Sequence, residues 1–461
     1  MTPRVLHYSD IEGVYDHPDR LARLAGRIAE LRDDRTLVCG SGDNTAPGVL
    51  SLVSRGRQAL PFFERVRPDA DTFGNHDFDY GPDRTRELVR ESPQRWVSAN
   101  LSVEGDPFGA AAGVERSVVV ECDGARVGLT GVIDPAATDL TTEVGTVRAT
   151  DPVEAVGREI GRMRERGAEY LVVLSHLGAG DDELARRFDL DAVLGGHVHA
   201  ERAEVVAGTP CTRPGPNGHR VMEVDLATGE TTVHPVADAT PDTDLLAEFE
   251  RLAGETGLDE VVGHVDPDWP VERTRELRTS GECRIGNVVA DAYRWAAGSD
   301  VGLHNAGGIR DGPPLVGEVT VADLVSVVPF GEPVSVAELS GRALRGLFEE
   351  AYRAPHGEDR WTAHVSGCSV TYDTDARELC GVTVGGDPLD PDATYTVATN
   401  DFLLRTPAEF PTLVPEHRIG TLDTQYEVLA AYAREEGIDP ELSGRIDLAG
   451  RAEPAPRTEG R

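Results

Sequence analysis

The sequence predicts a layered α/β protein in two domains. Strand-like apolar runs alternate with amphipathic stretches, 461 residues exceed one ordinary core, and the alternation breaks near residues 235–268. Val5-Leu6-His7-Tyr8 reads as the first strand. Leu21, Leu24, Ala25, Ile28 and Leu31 then recur at helical spacing behind Pro18, a residue suited to a first helical turn. Thr36-Leu37-Val38-Cys39, Val127-Gly128-Leu129-Thr130, Tyr170-Leu171-Val172-Val173-Leu174 and Asp191-Ala192-Val193-Leu194 are apolar runs of buried-strand length, with a helix predicted near 152–167. A helix-like segment opens at Ala239-Thr240-Pro241-Asp242 and reads as a linker between domains. The second half predicts helices near 286–297, 340–353 and 423–435. The expected division is a first domain over 1–238, a linker helix over 239–268, a second mixed α/β domain over 269–450 and a disordered tail over 451–461.

Composition narrows the class of partner. Acidic residues number 81 against 45 basic ones, a formal net charge of −36, and every basic residue is Arg. Acid enrichment without Lys points to a salt-rich, halophile-like cytoplasm, where screening tolerates self-repulsion. A GC-rich genome would account for Arg over Lys but not for the acid excess. The charge argues against binding nucleic acid polymers or anionic membrane surfaces. No apolar run reaches the roughly 18–20 residues of a membrane span, and Met1–His7 carries no export signal, so a cytoplasmic location is expected. The six cysteines form no Cys-x-x-Cys pair and predict reduced thiols. Nothing implies a protein partner.

Five polar clusters each follow a strand-like run: Ser9-Asp10-Ile11-Glu12, Gly42-Asp43-Asn44, Gly74-Asn75-His76-Asp77-Phe78-Asp79, Ser175-His176 and Gly195-Gly196-His197-Val198-His199. Polar groups just past the carboxyl ends of strands converge on one crevice in open α/β sheets. Small residues beside them let the backbone turn closely around an ion. A lone Asp after a strand is ordinarily a cap, and a lone His-x-His ordinarily filler; five such clusters in order predict a metal site. Carboxylate, amide oxygen and imidazole together suit Mn²⁺, Fe²⁺ or Zn²⁺.

This series resembles the calcineurin-like metallophosphoesterase superfamily, with its D-x-H, G-D, G-N-H-D/E, H and G-H-x-H pattern. Leu6–Asp10 and Gly74–Gly81 are similar to its 5′-nucleotidase (UDP-sugar hydrolase) branch. The resemblance implies a four-layer α/β sandwich holding two divalent ions bridged by Asp43. Asp10, Glu12 and His199 would complete one site, and Asn75, His176 and His197 the other. His76 would assist the phosphate in the transition state, oriented by Asp79. Glu12 stands where the family has His. A carboxylate there adds negative charge and favours Mn²⁺ or Mg²⁺ over Zn²⁺; the alternative is that Glu12 points away and leaves the first site weak. His17 is a further substitute.

The second half is similar to the 5′-nucleotidase C-terminal domain in Glu282–Ala292, Asn305-Ala306-Gly307-Gly308-Ile309-Arg310, Val328-Pro329-Phe330-Gly331 and Thr399-Asn400-Asp401-Phe402-Leu403. The resemblance implies that Asn305, Gly308 and Arg310 contact substrate and that Phe330 and Phe402 stack on a nucleobase. The family's ribose-binding G-G-D-G-F/Y is absent; Thr406-Pro407-Ala408-Glu409-Phe410 stands in its place, and Glu409 is a candidate replacement. Arg278 and Arg284 are candidates for a phosphate arginine. The expected activity is hydrolysis of 5′-nucleotides to nucleoside and phosphate, a small-molecule phosphoester reaction. The alternatives are 2′,3′-cyclic nucleotides, nucleoside diphosphate derivatives or a non-nucleotide phosphoester, and a nucleotide-binding protein with reduced catalysis.

Overall fold

The computed structural model describes residues 2–136, 146–353 and 359–449. It divides into two compact units, 1–256 and 257–461. The tail expected to be disordered, 451–461, lies outside the described residues.

The first unit is built on two six-stranded sheets whose central strands are parallel. One sheet runs Thr231–Pro235, Arg220–Asp225, Arg4–Tyr8, Thr36–Gly40, Ala70–Asp71, Arg95–Trp96. The other runs Arg202–Val206, Thr209–Arg213, Ala192–Gly195, Tyr170–His176, Ala125–Ile133, Ser117–Cys122. Apolar side chains from both, including Val5, Leu37 and Ala70 with Leu129, Val172 and Leu194, form one buried cluster. Strands buried on both faces read as continuous apolar runs, which is why they are visible in the sequence. The helix Pro152–Glu165 covers one sheet. The helices Pro18–Leu31, Ala59–Val66 and Thr243–Glu255 pack on one another in the same unit. Together these layers give the four-layer α/β sandwich. Thr243–Glu255, capped by Asp242 on Leu245 N–H at 3.1 Å, is the segment read as a linker helix; it is packed within the first unit.

The second unit has a mixed five-stranded sheet in the order Ala363–Ser366, Val301–Asn305, Thr394–Asn400, Pro333–Ser340, Arg418–Thr424. The helices Arg284–Ala297 and Gln425–Glu436 pack together and against strands of that sheet. A four-stranded sheet containing Cys368–Asp373 and Glu378–Val384 shares the unit's main core with Leu303, Phe348 and Trp361. The helix predicted over 340–353 stops at Glu349, because Tyr352–Arg353 turns into a short strand pairing with Arg360–Trp361. All six cysteines are free. Among the described residues no helix is long and apolar enough to cross a membrane.

Candidate metal centre

The five clusters meet at the carboxyl ends of the first unit's parallel strands. The loop after Arg4–Tyr8 lies on the loop after Thr36–Gly40: Asp10 N–H donates to Gly42 O at 3.0 Å and Glu12 N–H to Asp43 O at 3.3 Å. Two groups of ligand-type atoms result, Asp43 with His176 and His197, and Asp10 with Glu12 and His199, each group within 4.8 Å of one another. The geometry is costly to the backbone. Asp10, Glu12, Asp43 and His197 adopt φ of 50°, 35°, 53° and 72°, a region non-glycine residues rarely occupy and which concentrates at functional sites. Gly74 is required: a Cβ there would stand 2.1 Å from Asp43 Oδ1 and 2.6 Å from His176 Cε1.

Hydrogen bonds fix the orientation of each donor. His176 Nε2 lies 3.1 Å from Asp43 Oδ2, with its Nδ1 held by Ser41 O at 2.8 Å. His199 Nε2 lies 3.0 Å from Glu12 Oε1, so Glu12 points into the cluster rather than away. Asp10 Oδ1 accepts His197 N–H at 2.9 Å. Burial disfavours the charged carboxyls of Asp10 and Glu12 and pushes both upward. Burial acts the same way on Asp43, but His176 outweighs it and Asp43 is held below its usual range. For His176, burial favours the neutral ring, yet Asp43 and Asp10 raise it to about 10. A ligating imidazole must be neutral, so an ion would take over the place that proton occupies. His76 stands apart from both groups: its Nδ1 is 3.0 Å from Asp79 Oδ2, and Asp79 and Asp43 overcome partial burial to hold it near 10.

These residues fit divalent ions. The donor set mixes carboxylate and imidazole as transition metals prefer. Asn75 Oδ1, moreover, is a buried acceptor with no hydrogen-bond partner, on the residue preceding His76, whose N–H donates to Asp43 Oδ1 at 2.7 Å. Buried polar atoms are ordinarily satisfied. Sequence reasoning missed the carboxylate beneath the site. Asp77 accepts the N–H groups of Asp43, Asn44, Thr45 and Gly74 at 2.9, 3.2, 3.0 and 2.8 Å and the Thr45 hydroxyl at 2.7 Å. Its adjacency to Asn75-His76 was the available signal. His17 belongs to neither ligand group.

In the second unit, Asn305 ends the strand Val301–Asn305 and is buried, while Gly307 and Arg310 are exposed. Arg310 donates to Gly307 O at 3.2 Å, and its guanidinium lies 4.7 Å over the Phe330 ring. The guanidinium occupies one face of the Phe330 ring. Phe402 is half-buried against the main core. Gly308 lies tight against His304, where a Cβ would come within 2.5 Å of Nε2. The two arginines proposed for phosphate are committed elsewhere. Arg284 donates to the carbonyls of Trp269, Pro270 and Pro440. Arg278 braces the 306–311 loop through Ala306 O and Asp311.

Residues 3–201 match the calcineurin-like phosphoesterase family, and residues 261–414 match the 5′-nucleotidase C-terminal domain. An apyrase of Tabanus yao is 26% identical over 510 residues, covering 93% of this chain and 90% of that protein. The trifunctional nucleotide phosphoesterase protein YfkN of Bacillus subtilis is 24% identical over 96% of this chain, which spans 34% of that longer protein. The crystal structure of a 5′-nucleotidase precursor from Thermus thermophilus superposes with a TM-score of 0.68 at 23% identity, covering 98% of this chain and 100% of that one.

Proposed function

Because the chain is a calcineurin-like phosphoesterase joined to a 5′-nucleotidase C-terminal domain, we propose that it hydrolyses 5′-nucleotides to nucleosides and phosphate. The observation that carries this reading is the pair of adjacent ligand groups at the strand ends of the phosphoesterase domain. Asp10, Glu12 and His199 would hold one ion and Asn75, His176 and His197 the other, with Asp43 between them. Paired divalent ions at such a site polarise phosphoryl oxygens and supply a hydroxide near neutral pH. His76 does not ligate; kept protonated by Asp79, it donates from Nε2 to charge developing on the phosphate. Glu12 makes its half of the site rich in hard oxygen donors, which favours Mn²⁺.

The nucleotide preference is supported by the names of the relatives and by the arrangement of Asn305, Arg310 and Phe330 in the second unit. Hydrolysis of other nucleotide phosphoesters is a second reading, favoured by the relative named for three such activities. Both are tested by phosphate release from a panel of 5′-nucleotides, cyclic nucleotides, nucleoside diphosphate derivatives and sugar phosphates, after stripping and reloading with Mn²⁺, Zn²⁺ or Mg²⁺. Turnover led by 5′-nucleotides is expected. Turnover confined to sugar phosphates would overturn the nucleotide assignment, and full metal occupancy without any turnover would overturn the enzyme assignment.

A further inference from the structure

His7 interrupts the apolar face that its strand turns toward the second sheet. Side chains two apart on a strand share a face, and Val5, two residues earlier, packs among Leu37, Cys39, Leu129 and Leu194 in the core between the sheets. A fully buried imidazole at that position forfeits apolar burial and has two ring nitrogens to satisfy. Hydroxyls satisfy both: Nδ1 lies 2.9 Å from Thr212 Oγ1 and Nε2 lies 2.8 Å from Ser41 Oγ. Burial, with Arg213 nearby, holds the ring neutral by lowering it to about 3. A neutral imidazole presents one donor and one acceptor, so it joins two groups that can each donate or accept. Thr212 is on Thr209–Arg213 of the second sheet, opposite Leu194, and Ser41 follows Thr36–Gly40 of the first. His7 thus ties the sheets together at the end where the ligand clusters emerge.

The Ser41 end of this link bears on a ligand. Ser41 is fully buried, its hydroxyl is partnered by His7, and its N–H reaches Tyr8 O only at 3.3 Å. Its carbonyl meets His176 Nδ1 at 2.8 Å. A carbonyl can only accept, so His176 Nδ1 carries a proton. In the neutral ring the lone pair is then on Nε2, the atom 3.1 Å from Asp43 Oδ2. The tautomer and tilt of a ligating imidazole are set by the hydrogen bond that its other nitrogen makes. Asp43, two residues past Ser41, has separate support: its N–H donates to Asp77 at 2.9 Å, and Gly42 O accepts Asp10 N–H at 3.0 Å. A shift of Ser41 therefore falls first on His176.

We propose that His7 is a positioning residue for the metal centre, acting through Ser41 to fix the orientation and tautomer of His176 as a ligand. Core packing alone would be served by an apolar side chain at this position; the imidazole holds Ser41 against the second sheet. This rests on the two-ion reading above. Of the two ligand groups, only the one containing His176 depends on the link, so losing His7 weakens one ion and spares the other.

The test is the Mn²⁺ binding isotherm of the full chain stripped of metal, read by the electron paramagnetic resonance of free Mn²⁺. His176→Ala identifies which of the two binding steps belongs to its ligand group. His7→Leu should weaken that step about 10–100-fold, the range for residues that orient ligands, and leave the other step unchanged. Ser41→Ala, which deletes the hydroxyl and keeps the carbonyl, should do the same, and it carries the test alone if His7→Leu does not fold. Combined, the two substitutions should cost no more than either one, as expected of a single link. His7→Gln, whose amide reaches the Nε2 position, should restore the step. Equal weakening of both steps, full additivity, no rescue by His7→Gln or unaltered binding in Ser41→Ala overturns the inference and leaves the two-ion reading standing. A wild-type chain that fails to bind two ions overturns both.

Discussion

Asp77 belongs to neither ligand group, yet its replacement is expected to damage the site more than most changes outside those groups could. The carboxylate is 4% exposed and joins the 42–45 loop to the 74–79 loop through five accepted hydrogen bonds. Oδ2 serves Asp43 and Gly74, and Oδ1 serves Asn44 and both donors of Thr45. In Asp77→Asn one of these oxygens becomes an NH₂, so whichever way the amide turns, at least two buried backbone donors face another donor. Each orphaned donor costs about 1–3 kcal/mol. Part of that is returned, because burial and the neighbouring Asp43 already disfavour the Asp77 charge, raising it to about 6. A net loss of about 2–4 kcal/mol follows, read by urea unfolding with chelator present. Metal affinity should fall about 10–100-fold, as for other residues that orient ligands. A variant within about 0.5 kcal/mol of wild type that keeps its metal would refute the reasoning.

Other perturbations separate catalysis from construction. His76→Ala should lower kcat by about 10²–10⁴ while the metal content measured by elemental analysis stays unchanged; loss of metal would make His76 a ligand instead. Arg213→Met leaves the Asp181 carboxylate, bonded at 2.8 Å and 2% exposed, buried without its partner, and should cost about 3–5 kcal/mol in thermal or urea unfolding. Asp71 is raised to about 8 by burial and by Asp77, whereas an unfolded Asp titrates near 3.9. The folded state therefore holds a proton that the unfolded state has lost, and stability falls as pH rises through that window. Asp71→Asn should flatten this part of the stability–pH profile, and an unaltered slope would sink the assignment.

The fold is legible in the sequence wherever a strand is buried on both faces. Val5–Tyr8, interrupted only by His7, and Tyr170–Leu174 are apolar runs because a second sheet lies opposite them, and the ligand clusters follow since parallel strands end together. What escapes is contact at long sequence separation. The tertiary partners of Asp77 and the packing of Thr243–Glu255 within the first unit depend on segments brought together by the sheets. The segment containing Thr243–Glu255 reads as a linker because its flanking prolines and acids mark a composition change; the helix Pro18–Leu31 that it packs against is some 200 residues away in sequence. Glu12 shows the reverse case. Its residue type is a visible departure from the family, but its direction needed the 3.0 Å contact with His199.

The charge balance makes a last demand on a protein that hydrolyses anions. Two divalent ions set against the carboxylates of Asp10, Glu12 and Asp43 would leave the site locally near neutral, four positive charges against three negative. The long-range field that an approaching nucleotide meets is then set by the rest of the chain, at a formal −33 once those three carboxylates are taken from the −36 of the whole. Screening lengths fall from about 10 Å at 0.1 M salt to about 3 Å at 1 M, so added salt removes the repulsion before it reaches the bound ions. With metal held saturating, kcat/KM for a nucleotide should rise severalfold across that range, as the on-rate recovers, while kcat changes little. Circular dichroism at each salt concentration controls for refolding of an unfolded fraction, which would raise both parameters together. A kcat/KM that falls with salt would mean that the field at the mouth of the site is positive, and that the substrate is drawn in by the centre itself rather than admitted past an acidic surface.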